Sequence, residues 1–195
     1  MNNPIKLCFA TSNSGKLKEV RNILEPEIEV TGLAELGWEG VLPETGNSFE
    51  ENAMQKIQTF NEQTGLDGFA EDSGLVITAL DGKPGLFTAR YAGPQATADD
   101  NMSLVLNQLK DKDDRSAKFV AVIALMYQGH TQLFKGEVFG KIALKKSGAQ
   151  GFGYDPIFIP KGYEETFADL PAKVKNEISH RKKALIQLKG YLKNG

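Results

Sequence analysis

The chain has 195 residues, 41% hydrophobic and 25% charged, with a formal charge of −2. That length suits one domain, or two lobes sharing a sheet, and the composition is that of an ordinary soluble globular protein. The slight negative charge excludes bulk electrostatic binding to nucleic acid, so an anionic partner has to meet local cations.

The single cysteine excludes an intramolecular disulfide; Cys8 alternates with Ile5, Leu7 and Phe9 and reads as a buried structural thiol. There is no cleavable signal and no apolar run of about 18 residues, so the expected compartment is the cytoplasm. No repeat, low-complexity tract or separable linker interrupts residues 1–195, which are read as a single domain.

Residues 5–10 predict a first strand. Thr11, Ser12, Asn13, Ser14, Gly15 and Lys16 follow, then Leu17, Val20, Ile23 and Leu24 at helical spacing. A strand, a small polar loop and a helix start leave backbone N–H groups that attract anions, and small side chains let a phosphate come close. Lys16 has the wrong sign for the positive end of a helix, which an external anion would explain. It is not a Walker loop, because the first glycine is missing and Leu17 follows the lysine. Alone, the loop reads either as a phosphate site or as an ordinary capped helix.

Residues 28–30 predict a second short strand. A loop through Glu44, Thr45 and Gly46 leads to Asn47 and Ser48, and both Asn47 with Glu50 and Ser48 with Glu51 have capping-box spacing. Phe49, Ala53, Ile57 and Phe60 form the buried stripe of the next helix. Asn52 and Lys56 lie four apart beside it, facing either a cleft or solvent.

The stretch from Phe69 to Leu75 carries adjacent carboxylates, Glu71 and Asp72, then Ser73 and Gly74. Residues 65–68 read as a turn and 75–80 as a strand ending in Asp81-Gly82, which places the acidic pair at a strand end. Neighbours on a strand point to opposite faces, so only one of the pair would face a cleft unless Gly74 relaxes the geometry. The alternative is a solvated acidic turn.

Residues 86–91 read as extended or irregular. Thr97 with Asp100 caps a helix that buries Met102, Val105, Leu106 and Leu109, and residues 111–115 form a solvated charged loop. Residues 119–127 predict a strand covered on both faces; 133–134 and 137–144 predict further strands near a sheet edge. His130 falls in a turn and has no metal-ligand spacing to His180.

Glycines at 148, 151 and 153 flank Phe152, ahead of Tyr154 and Asp155. They suggest a bent backbone that presents an aromatic ring, or else a turn around a core phenylalanine. A ring beside a carboxylate is what a nucleobase pocket uses, stacking on a face and hydrogen bonding at an edge. Finally, Ser179 precedes His180, Arg181, Lys182 and Lys183, with Ala184, Leu185, Leu188, Tyr191 and Leu192 at helical spacing. If Ser179 is the N-cap, the cations crowd the positive helix end and call for an acceptor-rich ligand; a longer helix from Pro171 weakens that argument.

Taken in order, these stretches resemble the inosine triphosphate pyrophosphatase family. The matching segments are 11–16, 44–46 running into 51–53, 71–75, 84–85 with 89–91, 151–158 and 179–181, spanning nearly the whole chain. The resemblance implies an α/β fold with a long mixed sheet, two lobes and an active-site cleft between them, usually as a homodimer. It implies magnesium-dependent cleavage of ITP, dITP or XTP to the monophosphate and pyrophosphate.

Carried over by position, Asp72 is the proton acceptor and a magnesium ligand, and Glu44 the second acidic ligand. Thr11 to Lys16, Lys56 and Ser73 hold phosphates; Phe152, Gly153, Tyr154, Asp155, Lys175, His180 and Arg181 hold the base. Glu71 departs from the second aspartate common in bacterial members. The competing readings are a Maf-like pyrophosphatase acting on other modified nucleotides, against which segment 179–181 argues, and a non-catalytic nucleotide-binding module, against which the paired Glu44 and Asp72 argue.

Overall fold

The computed structural model describes residues 4–194, and among them six strands and five α-helices follow in chain order. They are β1 (Ile5–Phe9), α1 (Ser14–Leu24), β2 (Ile28–Gly32), α2 (Phe49–Thr64), β3 (Gly68–Ile77), α3 (Ala98–Gln108), β4 (Ser116–Tyr127), β5 (His130–Ile142), β6 (Phe158–Pro160), α4 (Ala172–Ile178) and α5 (His180–Asn194). One sheet has the order β2-β1-β3-β4-β5-β6. β1 runs parallel to both β2 and β3, and β5 runs antiparallel to β6, so the sheet is mixed. The parallel β1–β2 pair needs a crossover, which α1 supplies.

Three elements differ from the sequence expectation. β3 begins at Gly68, so Glu71 and Asp72 lie inside a ten-residue strand and not at its end. The strand stops at Ile77, where residues 78–80 turn into a 3-10 helix closed by Asp81 in the left-handed region. A buried strand tolerates two acids because each has a cationic or amide partner, as described below. Residues 85–90 form another 3-10 helix, not an extended run. Thr88 fixes it: its hydroxyl donates to the Gly85 carbonyl at 2.6 Å and accepts from Leu75 N at 3.0 Å. Lastly, β5 is one strand beginning at His130, after a turn at Gln128 and Gly129.

The chain divides into two compact units. The first holds the chain up to Asp72, Ala121–Gly136 and the chain from Arg181 on; the second holds Ser73–Val120 and Glu137–His180. The core of the first gathers Leu7, Phe9, Val20, Phe69, Ile123 and Leu188, with the Phe9 and Phe69 rings stacked at 4.7 Å. Cys8 is buried there as expected, and burial pushes its thiol pKa up to about 12. The core of the second gathers Leu75, Ile77, Val105, Phe119, Phe158 and Phe167. Among the described residues no helix is long and apolar enough to cross a membrane.

Candidate active site

In the first unit, α2 organises an acidic loop. Ser48 is the N-cap, accepting from Glu51 N at 3.1 Å, and Glu51 reaches back to Asn47 N at 2.6 Å. Of the two candidate capping boxes, the Ser48 one forms in half: Ser48 caps Glu51 N, while the Glu51 carboxylate takes the N–H of Asn47, one residue before the cap. The next residues on the same face continue the grip: Asn52 Oδ1 accepts from Gly46 N at 2.8 Å and Gln55 Oε1 from Thr45 N at 3.0 Å. Gly46 is required by close approach, since a Cβ there would meet the Glu51 side chain.

That grip delivers Glu44 to Lys56. The Lys56 ammonium donates to Glu44 Oε1 at 2.7 Å, to the Glu71 carbonyl at 2.8 Å and to Asp72 Oδ1 at 3.2 Å. Asn52 Nδ2 donates to the other Asp72 oxygen at 3.1 Å. Asn52 and Lys56 are buried, so the solvated alternative for Lys56 does not hold. The Glu44 side chain is 37% exposed, whereas that of Asp72 is 11% exposed.

Glu71 meets different partners, as alternation along a strand requires. Its carboxylate accepts from Arg181 Nε at 2.6 Å and Nη2 at 2.7 Å, and lies 3.2 Å from Lys16 Nζ. Arg181 Nη1 also donates to Glu19, one helical turn beyond Lys16 on α1. Burial works against the guanidinium charge, but Glu71 and then Glu19 outweigh it and hold the Arg181 pKa above its ordinary value. Burial likewise pulls the Lys16 pKa down; Glu71 is the strongest group opposing that, while Arg181 and Lys56 add to the lowering.

Lys16 at the start of α1 thus has an internal anion beside it, Glu71, and the Arg181 guanidinium is engaged by Glu71 and Glu19. Around it, Asn13 caps α1 by accepting from Lys16 N at 3.0 Å, and Thr11 accepts from Asn13 N at 3.2 Å. Ser12, Asn13 and Ser14 are exposed, Thr11 and Gly15 partly so.

In the second unit, Lys175 on α4 lies with its ammonium 4.8 Å from the centre of the Phe152 ring and 5.9 Å from that of Phe167. Asp155 Oδ2 accepts from Lys175 Nζ at 2.6 Å and from Phe152 N at 2.8 Å. Gly151 and Gly153 take positive φ of 78° and 62°, and a Cβ on Gly151 would collide with the Asp155 carboxylate. The glycines therefore let one buried acid hold both the ring's backbone and the cation above the ring. The Tyr154 hydroxyl donates to Thr88 O at 2.9 Å inside the core.

His180 is buried and stacks on Phe119 at 4.9 Å. α4 ends at Ile178 and α5 begins at His180, so the extended Ser179 stands immediately before α5 as the first alternative expects, and one continuous helix from Pro171 does not form. Ser73, the residue after Asp72, is partly buried in β3.

Of the expected residues, Lys16, Glu44, Lys56, Asp72 and Arg181 gather in the first unit, and Phe152, Asp155, Lys175 and His180 lie in the second. Glu19 was missed by sequence reasoning, and Asn52 was placed without a role. The spacing of Glu19 three residues beyond Lys16 was the available signal. Among the described residues no group of three His, Cys, Asp or Glu side chains is arranged to hold a metal.

β3 of this mixed sheet carries Glu71 and Asp72 to Lys16, Lys56 and Arg181, within an α/β fold. The chain belongs to the Ham1 family, whose model matches residues 7–191. It is 42% identical to a dITP/XTP pyrophosphatase of Flavobacterium johnsoniae, covering 94% of this chain and 96% of that one. Against the dITP/XTP pyrophosphatase of Bacillus subtilis the identity is 44%, with 92% and 93% covered. Among solved structures, the Ham1 protein of Staphylococcus aureus superposes with a TM-score of 0.87 at 39% identity, covering 97% and 98%. A HAM1 protein from Coxiella burnetii gives 0.88 at 41%, covering 98% and 100%.

Proposed function

We propose that this protein hydrolyses dITP, XTP and ITP to the monophosphate and pyrophosphate, clearing deaminated purines from the nucleotide pool. The observation that carries this reading is the Lys56 ammonium bound at once to Glu44, Asp72 and the Glu71 carbonyl. Two carboxylates converge there on one fixed ammonium, which sets acidic oxygens for a divalent ion beside a cation for phosphate oxygens.

The donor set fits magnesium. It is all oxygen, and two carboxylates leave the remaining positions to waters and substrate phosphates, the mode this ion favours over an all-protein cage. Glu44 and Asp72 would hold the ion; when bound, it neutralises phosphate charge. Asp72 orients the attacking water and takes its proton as the new P–O bond forms and the anhydride bond between the α and β phosphates breaks. Lys16 and Lys56 neutralise phosphate oxygens, with Ser73 and the loop Thr11–Gly15 as further phosphate contacts.

Phe152 stacks on the purine, with Gly153 and Tyr154 in the backbone that shapes this edge and Asp155 behind it. Lys175 and His180 offer donors to the keto oxygen that deaminated purines carry at position 6, where adenine has an amino group. The whole chain acts as one such domain, in the cytoplasm, with a second copy of itself as its partner and no role for nucleic acid or membrane.

The test is a panel of standard and deaminated triphosphates with magnesium, assaying pyrophosphate separately from phosphate. Pyrophosphate from dITP, XTP and ITP in preference to ATP and GTP is expected, and EDTA should abolish it without changing the circular dichroism. Phosphate as the product, or full activity in EDTA, would refute the reading.

A further inference from the structure

Glu71 touches every cation in the first unit's cluster. Its carboxylate is held by two nitrogens of Arg181 and lies 3.2 Å from Lys16 Nζ, and its backbone carbonyl accepts from Lys56 Nζ. The side chain has no solvent exposure, and both oxygens face the guanidinium fork. It is therefore poorly disposed to serve as a metal ligand beside Asp72. Arg181 is held in turn by Glu19 on α1, the helix that carries Lys16.

We propose that Glu71 is a positioning residue: clamped by Arg181, its carboxylate fixes the Lys16 ammonium where a substrate phosphate is met. A bidentate guanidinium–carboxylate pair is the most directional ion pair a protein can build. A lysine has a flexible four-carbon stem, and without a fixed anion it has many rotamers to lose on binding. Glu19 and Lys16 tie α1 to the same Glu71–Arg181 frame at two points, so the helix and the ammonium are set together. The carbonyl contact gives the same residue a hold on Lys56, next to Asp72.

This inference rests on the pyrophosphatase reading, and the experiment separates the two. Pyrophosphate release from dITP with magnesium is measured for the wild type, E71Q, K16M and the K16M/E71Q double variant. E71Q is expected to lower kcat about 10-fold or more, since misplacements of an ångström reach about 100-fold, while KM stays within about threefold. E71D, which keeps the charge, should lie between wild type and E71Q. In the K16M background, adding E71Q should change kcat by less than about twofold, the coupling expected when one residue acts through the other.

Wild-type kcat in E71Q, or an equal fall in the presence and absence of Lys16, would overturn the proposal. Should E71Q fail to fold, R181K takes its place, because an ammonium cannot reproduce the two-point clamp. A kcat loss in R181K that vanishes in K16M supports the proposal, and no loss or an uncoupled one overturns it. A wild type that releases no pyrophosphate defeats the enzymatic reading and this one together; an active wild type with uncoupled variants defeats this one alone.

Discussion

Lys56 Nζ stands 2.7 Å from Glu44 Oε1 and 3.2 Å from Asp72 Oδ1, so one buried ammonium joins a loop carboxylate to a strand carboxylate. Without it, both carboxylates lose a shared partner, and Asp72 keeps the Asn52 amide. Lys56→Met should therefore lose turnover and about 1–3 kcal/mol of stability, the cost of leaving buried polar groups poorly answered. Magnesium should raise the melting temperature of this variant more than that of the wild type, because an ion can take the place of the missing charge. Equal shifts in thermal melts with and without magnesium would argue against a metal site at these two carboxylates.

Arg181 predicts a different outcome. Removing one member of a buried, hydrogen-bonded ion pair typically costs about 3–5 kcal/mol, and Arg181→Ala strips partners from both Glu71 and Glu19. Urea denaturation should show a loss of that size. A change within about 0.5 kcal/mol, the range of ordinary surface substitutions, would mean that the clamp does not hold the fold.

Base choice should divide between Phe152 and Lys175. A stacking ring supplies affinity to any purine, so Phe152→Ala should lower kcat/KM for dITP, dATP and dGTP about equally. Lys175→Met removes a donor that matches a keto oxygen and opposes an amino group, a mismatch of about 1–3 kcal/mol. It should narrow the gap between dITP and dATP by roughly 10- to 100-fold. An equal effect on all three substrates would make Lys175 a support for Phe152 alone.

Much of this was legible in the sequence, for identifiable reasons. The strand–loop–helix at Thr11–Lys16, the capped helix carrying Asn52 and Lys56, and the Thr97–Asp100 box are local patterns, set by periodicity and capping chemistry. The extent of β3 was not legible, because isolated acids read as a turn; only partners distant in sequence make them tolerable inside a strand. Arg181 lies 110 residues from Glu71 and 162 from Glu19, and no spacing rule connects such positions. The same limit hid the Asp155–Lys175 pair, which turns a glycine-bounded phenylalanine into a ring with a cation held over it.

The Thr97–Asp100 box gives a pH-dependent test. The Thr97 hydroxyl and then its N–H hold the Asp100 pKa below its ordinary value of 3.8. A depressed folded-state value means stability that is fully present above 3.8 and lost as pH falls through the folded value. Thr97→Ala should be less stable than the wild type at neutral pH, and the difference should shrink below about pH 4. A constant difference down to the acid transition would show that the carboxylate contributes nothing through this cap.

The central claim is that Asp72 drives hydrolysis of a triphosphate to pyrophosphate, and Asp72→Asn tests it most directly. The amide keeps the shape of the side chain but removes the proton acceptor and an anionic metal ligand, and acid–base catalysis alone is worth roughly 100-fold or more. With dITP, magnesium and an assay specific for pyrophosphate, the account predicts loss of turnover in a variant that keeps the wild-type circular dichroism and still binds nucleotide. Retention of most of the wild-type rate would contradict it.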